Sequence, residues 1–192
     1  MIFLGSKSPR REDLLKTLIK SFSLIHKDIE ESFDPVLDPH LVPIYLADKK
    51  FESIAQDIQT YDYLITADTV VIVNNEILNK PEHEGEAIAM LQKLSGSYHE
   101  VTTGVVIGMG DNKVKFSDTT KVYMDTLTLD EITYYIEAFK PYDKAGGYGI
   151  QDWIGMAKIC KIEGSYTNVM GLPTQKLYCV LKENFPELLN VI

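Results

Sequence analysis

The chain has 192 residues, 45% of them hydrophobic and 24% charged, a balance that suits one large folded domain or two small lobes sharing a core and argues against disorder. A formal net charge of −9 argues against general binding of nucleic acid or an anionic membrane, which needs a basic face, while leaving room for a small local cationic pocket. No apolar run approaches the roughly 18 residues of a membrane span, and the N-terminus reads directly into an apolar strand rather than a signal peptide, so a cytoplasmic setting is expected.

"IFLGS" reads as a first strand, followed by a helix over 9–19 with Leu14, Leu15, Leu18 and Ile19 on one face. "SFSLIHKDI" alternates enough for a second strand. Residues 41–57 read as a helix on which Leu41, Tyr45, Leu46, Lys50 and Ile54 recur at helical spacing. "YDYLITAD" and "TVVIVNNEIL" read as strands, with Asn74-Asn75 as a hairpin turn. "HEGEAIAMLQKLSG" reads as a helix stopped by Gly96. Two long β runs, 98–109 and 113–125, follow around the turn signal "GDNK". A helix then runs from a Thr128–Glu131 capping box to Pro141. The glycine-rich loop "YDKAGGYGIQ", a strand in "AKICKIEGS" and a helix over 173–184 close the chain. Helices alternate with strands and the long hairpin demands antiparallel pairing, so the class is α/β with a mixed sheet. Cys160 and Cys179 have no CxxC spacing and read as small packed hydrophobes in a reducing compartment.

The helix at Pro9 breaks a rule. Ser8 is a good N-cap, yet Arg10 and Arg11 place positive charge at the positive end of the helix dipole. A bound polyanion would resolve the conflict, held by free backbone N–H groups, the guanidinium forks and the hydroxyls of Ser6 and Ser8. The alternative is a solvated arginine pair. Asp68, in "ITADTVV", lies at the end of an apolar strand, where α/β sheets commonly bind ligands, and can hold Mg²⁺ or take a proton from water; its alternative is to cap a turn. Lys80 projects from a corner fixed by Pro81 and suits a phosphate oxygen, unless it is simply solvated. "DIEESFD" offers Glu31 as a metal ligand or as one more surface carboxylate. In the glycine-rich loop Tyr148 could stack on a base and Gln151 could hydrogen-bond to one, against the alternative of a long surface loop. Neither a Walker A loop nor a GxGxxG fingerprint is present.

Taken in order, "LGSKSPRREDLL", "DIEE", "LADKKF", "ADTVV", "NKPEHEGEA", "LSGSYHEVTTGV", "DKAGGYGIQ" and "IEGSYTNVMGLP" resemble the Maf family of nucleoside triphosphate pyrophosphatases over nearly the whole chain. The sequence looks like the branch acting on dTTP and UTP: Arg10 directly follows Ser-Pro, and Thr69 and Gln151 match that branch's specificity positions. The resemblance implies one Maf-like domain over 1–192, with an elongated mixed sheet flanked by helices around a cleft, as in the inosine triphosphatase-like superfamily. It also implies a cytoplasmic location and, for many members, a homodimer. It implies water attack on the α-phosphorus, with Asp68 as proton acceptor, Mg²⁺ or Mn²⁺ held by Asp68 and Glu31, and Arg11, Lys50, Lys80 and Lys144 gripping phosphates. Other or modified nucleotides are an alternative substrate class, and a non-enzymatic role in septum formation is an alternative function. Gly5 and Phe51 depart from the family's usual alanines.

Overall fold

The structure is a computed structural model, and it describes residues 1–110 and 112–189. Its strands are β1 (Ile2–Gly5), β2 (Ser23–Leu24), β3 (Tyr63–Val73), β4 (Glu76–Leu78), β5 (Tyr98–Met109), β6 (Asn112–Met124) and β7 (Ile159–Glu163). They form one sheet in the order β2-β1-β3-β5-β6-β7, with β4 paired to β3. β1 runs parallel to β2 and β3, whereas β4 on β3 and β7 on β6 are antiparallel. The sheet is mixed and flanked by helices: α1 (Pro9–Lys16), α2 (Val42–Ala55), α3 (Glu84–Leu94), α4 (Leu129–Phe139), α5 (Trp153–Lys158), α6 (Tyr166–Met170) and α7 (Thr174–Asn184).

The chain divides into two compact units, and the divisions fall inside β3, β5 and β6 and directly after α6. The first unit comprises Met1–Asp68, Thr103–Asp118 and Gly171–Ile192. Part of its core packs Ala47, Phe51 and Ile54 of α2 against Leu64 of β3 and Val106 of β5. α2 lies so close to β5 that a Cβ on Gly104 would stand 2.3 Å from the Ile44 backbone nitrogen. Both departures from the family pattern have a packing reason. A Cβ on Gly5 would meet Ile54 Cδ1 at 2.7 Å and Thr66 Cγ2 at 2.8 Å, and Phe51 is buried with Lys113 Nζ 5.4 Å from its ring centroid.

The second unit comprises Thr69–Thr102 and Thr119–Met170. Its core packs Ala87, Met90, Leu91 and Leu94 of α3 and Ile132, Tyr135 and Ile136 of α4 against Val101, Val122 and Met124. The Thr128–Glu131 capping box forms with both of its hydrogen bonds, and α4 ends at Lys140 in the left-handed conformation just before Pro141.

Several local expectations need correction. β3 does not break at Asp68 but runs for eleven residues, because the β-branched residues around Asp68 keep the backbone extended. β2 shrinks to two residues at the sheet edge, where short polar strands discourage pairing with other chains. α1 stops at Lys16. On α2 the buried stripe is Val42, Leu46, Ala47, Phe51 and Ile54, so Leu41 and Tyr45 face outward instead of packing. Cys160 and Cys179 are exposed thiols, not packed hydrophobes. The short helix α5 occupies a stretch read as loop and the start of a strand, and α6 lies where no element was expected. Asn74 and Asn75 make the expected turn, both with positive φ, and Gly96 ends α3 at φ +68°. In the "GDNK" turn, Asp111 lies outside the described residues.

Candidate active site

In the first unit the site grows from the end of β1. Ser8 caps α1, its Oγ accepting from the Arg11 backbone N–H at 3.4 Å, and Pro9 takes the first helical turn. The buried Ser6 Oγ accepts from the Ser8 N–H at 3.1 Å. The Arg11 side chain leaves the helix: its Nε donates to the Gly171 carbonyl at 2.7 Å and its Nη1 lies 3.5 Å from Ser6 Oγ. Gly171 adopts φ +114°, which only glycine enters readily, so the carbonyl that anchors Arg11 depends on that residue type. Desolvation lowers the Arg11 pKa from its ordinary value; Asp68 opposes this, Arg10 reinforces it and Glu31 opposes it. Arg11, one of the two arginines that offend the dipole, therefore stands in the electrostatic range of two carboxylates.

Asp68 is 8% exposed and lies two residues past Thr66, the last β3 residue paired with β1. Thr66 and Asp68 share a face of the strand because side chains alternate. The Thr66 hydroxyl donates to the Ala47 carbonyl at 2.7 Å and pins α2 to that face. Lys50, almost one turn further along α2, thus arrives over Asp68. Its Nζ pairs with Asp68 Oδ1 and, at 2.7 Å, with Glu31 Oε1. Asp68 and Lys50 are largely shielded, while Glu31 is half exposed in the irregular segment after β2. The first unit therefore brings Ser6, Ser8, Arg11, Glu31, Lys50 and Asp68 together, with Arg10 beside Arg11. Asp68 is a mid-strand residue rather than the end of a strand, and it lies beyond the carboxyl end of β1.

In the second unit Thr69 is half-buried on β3. Lys80 is exposed and follows β4, immediately before the buried Pro81. Lys144 opens a tight turn over Ala145–Gly147 and donates to Asp143 Oδ1 at 2.8 Å, with Asp152 Oδ2 at 3.8 Å. Gln151 is half-buried at the end of the same segment, just before α5. Tyr148 is not available to stack on a base: it is buried in the core of this unit, and its hydroxyl lies 2.6 Å from His99 Nε2. Sequence reasoning missed the Gly171 anchor, whose one signal is a glycine directly after a short helix. It also missed Tyr135 and Asp152, which carry no local motif.

The profile of the Maf-like protein family matches residues 1–184. A dTTP/UTP pyrophosphatase of Porphyromonas gingivalis is 48% identical over 185 residues, covering 95% of this chain and 93% of its own length. A dTTP/UTP pyrophosphatase of Parabacteroides distasonis is 46% identical over 182 residues, covering 94% of each chain. Among solved structures, the Staphylococcus aureus Ham1 protein aligns with a TM-score of 0.48 at 16% identity, over 64% of this chain and 71% of that one.

Proposed function

The chain belongs to the Maf-like protein family, and from that premise we propose that it is a nucleoside triphosphate pyrophosphatase, acting as one domain, that converts dTTP and UTP to the monophosphate and pyrophosphate. The observation that carries this reading is the shielded Asp68–Lys50 pair, joined by the half-exposed Glu31 and with Arg11 in its electrostatic range, in a chain whose relatives named for this activity share nearly half its residues.

The reaction is attack of water on the α-phosphorus, with pyrophosphate as leaving group. Asp68 accepts the proton of the attacking water, and the Lys50 ammonium holds its carboxylate in place. Arg11, fixed by Gly171, turns the remaining in-plane N–H donors of its guanidinium to phosphate oxygens. Lys50, a compact point charge paired with both carboxylates, also offers its ammonium to a phosphate oxygen from that position. Lys80 and Lys144 add point charges for the remaining phosphate oxygens, and Ser6 and Ser8 supply hydroxyl donors. Thr69, Arg10 and Gln151 address the base and the geometry of the chain of phosphates. Positioning and charge, not a covalent intermediate, then supply the rate.

Asp68 and Glu31 suit Mg²⁺ or Mn²⁺, since carboxylate oxygens are the donors such hard cations prefer. Among the described residues no group of three or more His, Cys, Asp or Glu converges to hold a metal, so substrate oxygens and water would complete the shell. A bound divalent ion neutralises charge on the phosphates. The test is kcat/KM for dTTP, UTP, CTP and a purine triphosphate with Mg²⁺. The reading requires dTTP and UTP to lead; equal turnover of all four, or a purine lead, rejects it.

A further inference from the structure

The glycine-rich segment that carries Lys144 and Gln151 is gathered around a phenol that belongs to another element. Tyr135, on α4, is 0% exposed, and its ring stacks on Phe139 at 5.2 Å between centroids. Its hydroxyl makes two hydrogen bonds, both to this segment. It accepts from the Gly149 backbone N–H at 2.9 Å and donates to Asp152 Oδ2 at 2.7 Å. Asp152 in turn faces Lys144 across 3.8 Å and lies one residue after Gln151. The folding-back is tight: a Cβ on Gly149 would meet Asp152 Oδ2 at 2.5 Å and Lys144 Cε at 2.9 Å. One hydroxyl thus fixes the backbone two residues before Gln151 and the side chain of Asp152, one residue after Gln151 and 3.8 Å from Lys144. The other phenol of the region, Tyr148, is held separately by His99, so the two clasps can be removed one at a time.

We propose that the Tyr135 hydroxyl is a positioning residue for nucleotide discrimination: it sets the conformation from which the segment 144–152 presents Lys144 and Gln151 to the substrate. The proposal rests on the reading of the protein as a nucleotide pyrophosphatase. Its physical content is that a satisfied donor–acceptor pair at one buried atom restricts a glycine-rich backbone that is otherwise free to sample several conformations. Positioning errors of an ångström are enough to alter transition-state contacts. A hydroxyl that only stabilised the fold would lower activity on every nucleotide by the same factor.

The test is Tyr135→Phe, which keeps the buried ring and removes only the hydroxyl. kcat/KM is measured for UTP and CTP, alongside Gln151→Ala and Tyr148→Phe, with thermal unfolding of each variant. The expected result is a UTP:CTP preference narrowed about five-fold or more in Tyr135→Phe, the scale of leaving one buried hydrogen-bonding group unpaired. Gln151→Ala should narrow it similarly, and Tyr148→Phe much less. A Tyr135→Phe preference within two-fold of wild type overturns the proposal, whatever happens to stability and whatever Gln151→Ala does. If Tyr135→Phe narrows the preference and Gln151→Ala does not, the positioning role stands and Gln151 is not the base reader. If wild type turns over neither nucleotide, the underlying pyrophosphatase reading fails, and the proposal with it. Should Tyr135→Phe not fold, Gly149→Ala, which pushes on the same Asp152 contact, replaces it with the same criterion.

Discussion

In the proposed mechanism Asp68 and Arg11 do different work, and single substitutions separate them. Asp68→Asn keeps the size of the side chain and its place beside Lys50 but removes the proton acceptor, so kcat should fall on the order of 10²-fold or more while thermal unfolding changes little. Activity within a few-fold of wild type would remove Asp68 from the mechanism. Arg11 addresses phosphate, which every substrate shares, so Arg11→Ala should lower kcat/KM for all triphosphates by a similar factor; a selective loss for one base would reassign it. His99 makes a separate, pH-dependent contribution. Burial pushes its imidazole pKa down from the ordinary 6.5 to about 4, so the folded chain refuses a proton that the unfolded chain accepts between those values. This part of the stability is complete above pH 6.5 and is lost as pH falls toward 4. The wild-type melting temperature should therefore drop more between pH 7 and pH 5 than that of His99→Gln, and equal drops would show that His99 is not responsible.

Among the elements, α2 against β5 is the tightest join of the first unit. Gly104→Ala forces a methyl into the Pro43–Ile44 backbone, which unlike a flexible side-chain tip has nowhere to move. Overpacking of this kind costs roughly 1–3 kcal/mol or more, and because α2 carries Lys50, activity should fall with stability. Urea denaturation reads the cost; an unchanged midpoint would mean that α2 lifts from β5 without penalty. Elements of this chain were legible in sequence where one local device decides them. The Thr128–Glu131 box starts α4, Asn74-Asn75 turns β3 into β4, and Ser8-Pro9 opens α1. They were illegible where the sheet decides. The β-branched residues around Asp68 favour extension but do not by themselves decide that β3 continues through it, and nothing in "SFSLIHKDI" says that the edge allows only two paired residues. The exposed Leu41 and Tyr45 mislead for a related reason: helical spacing identifies a stripe, but the packing partner chooses which neighbouring stripe is buried.

For the molecule as a whole, the residues that break local rules were the readable part of the site: two arginines at the positive end of a helix, and an aspartate in an apolar strand. Each departure signals a charge that some other charge must answer. The supporting contacts were not readable, because Gly171 meets Arg11 across 160 residues, and Tyr135 meets Gly149 and Asp152 across 14 and 17, separations that no motif spans. The function we propose for both groups of residues is the cleavage of a triphosphate between its α and β phosphates. The most direct measurement is hydrolysis of UTP with Mg²⁺ in ¹⁸O-labelled water, with products separated and weighed by mass spectrometry. Attack on the α-phosphorus predicts equal amounts of UMP and pyrophosphate, with the label in UMP and no stoichiometric orthophosphate. Orthophosphate appearing with UDP, or label in pyrophosphate rather than UMP, would contradict it.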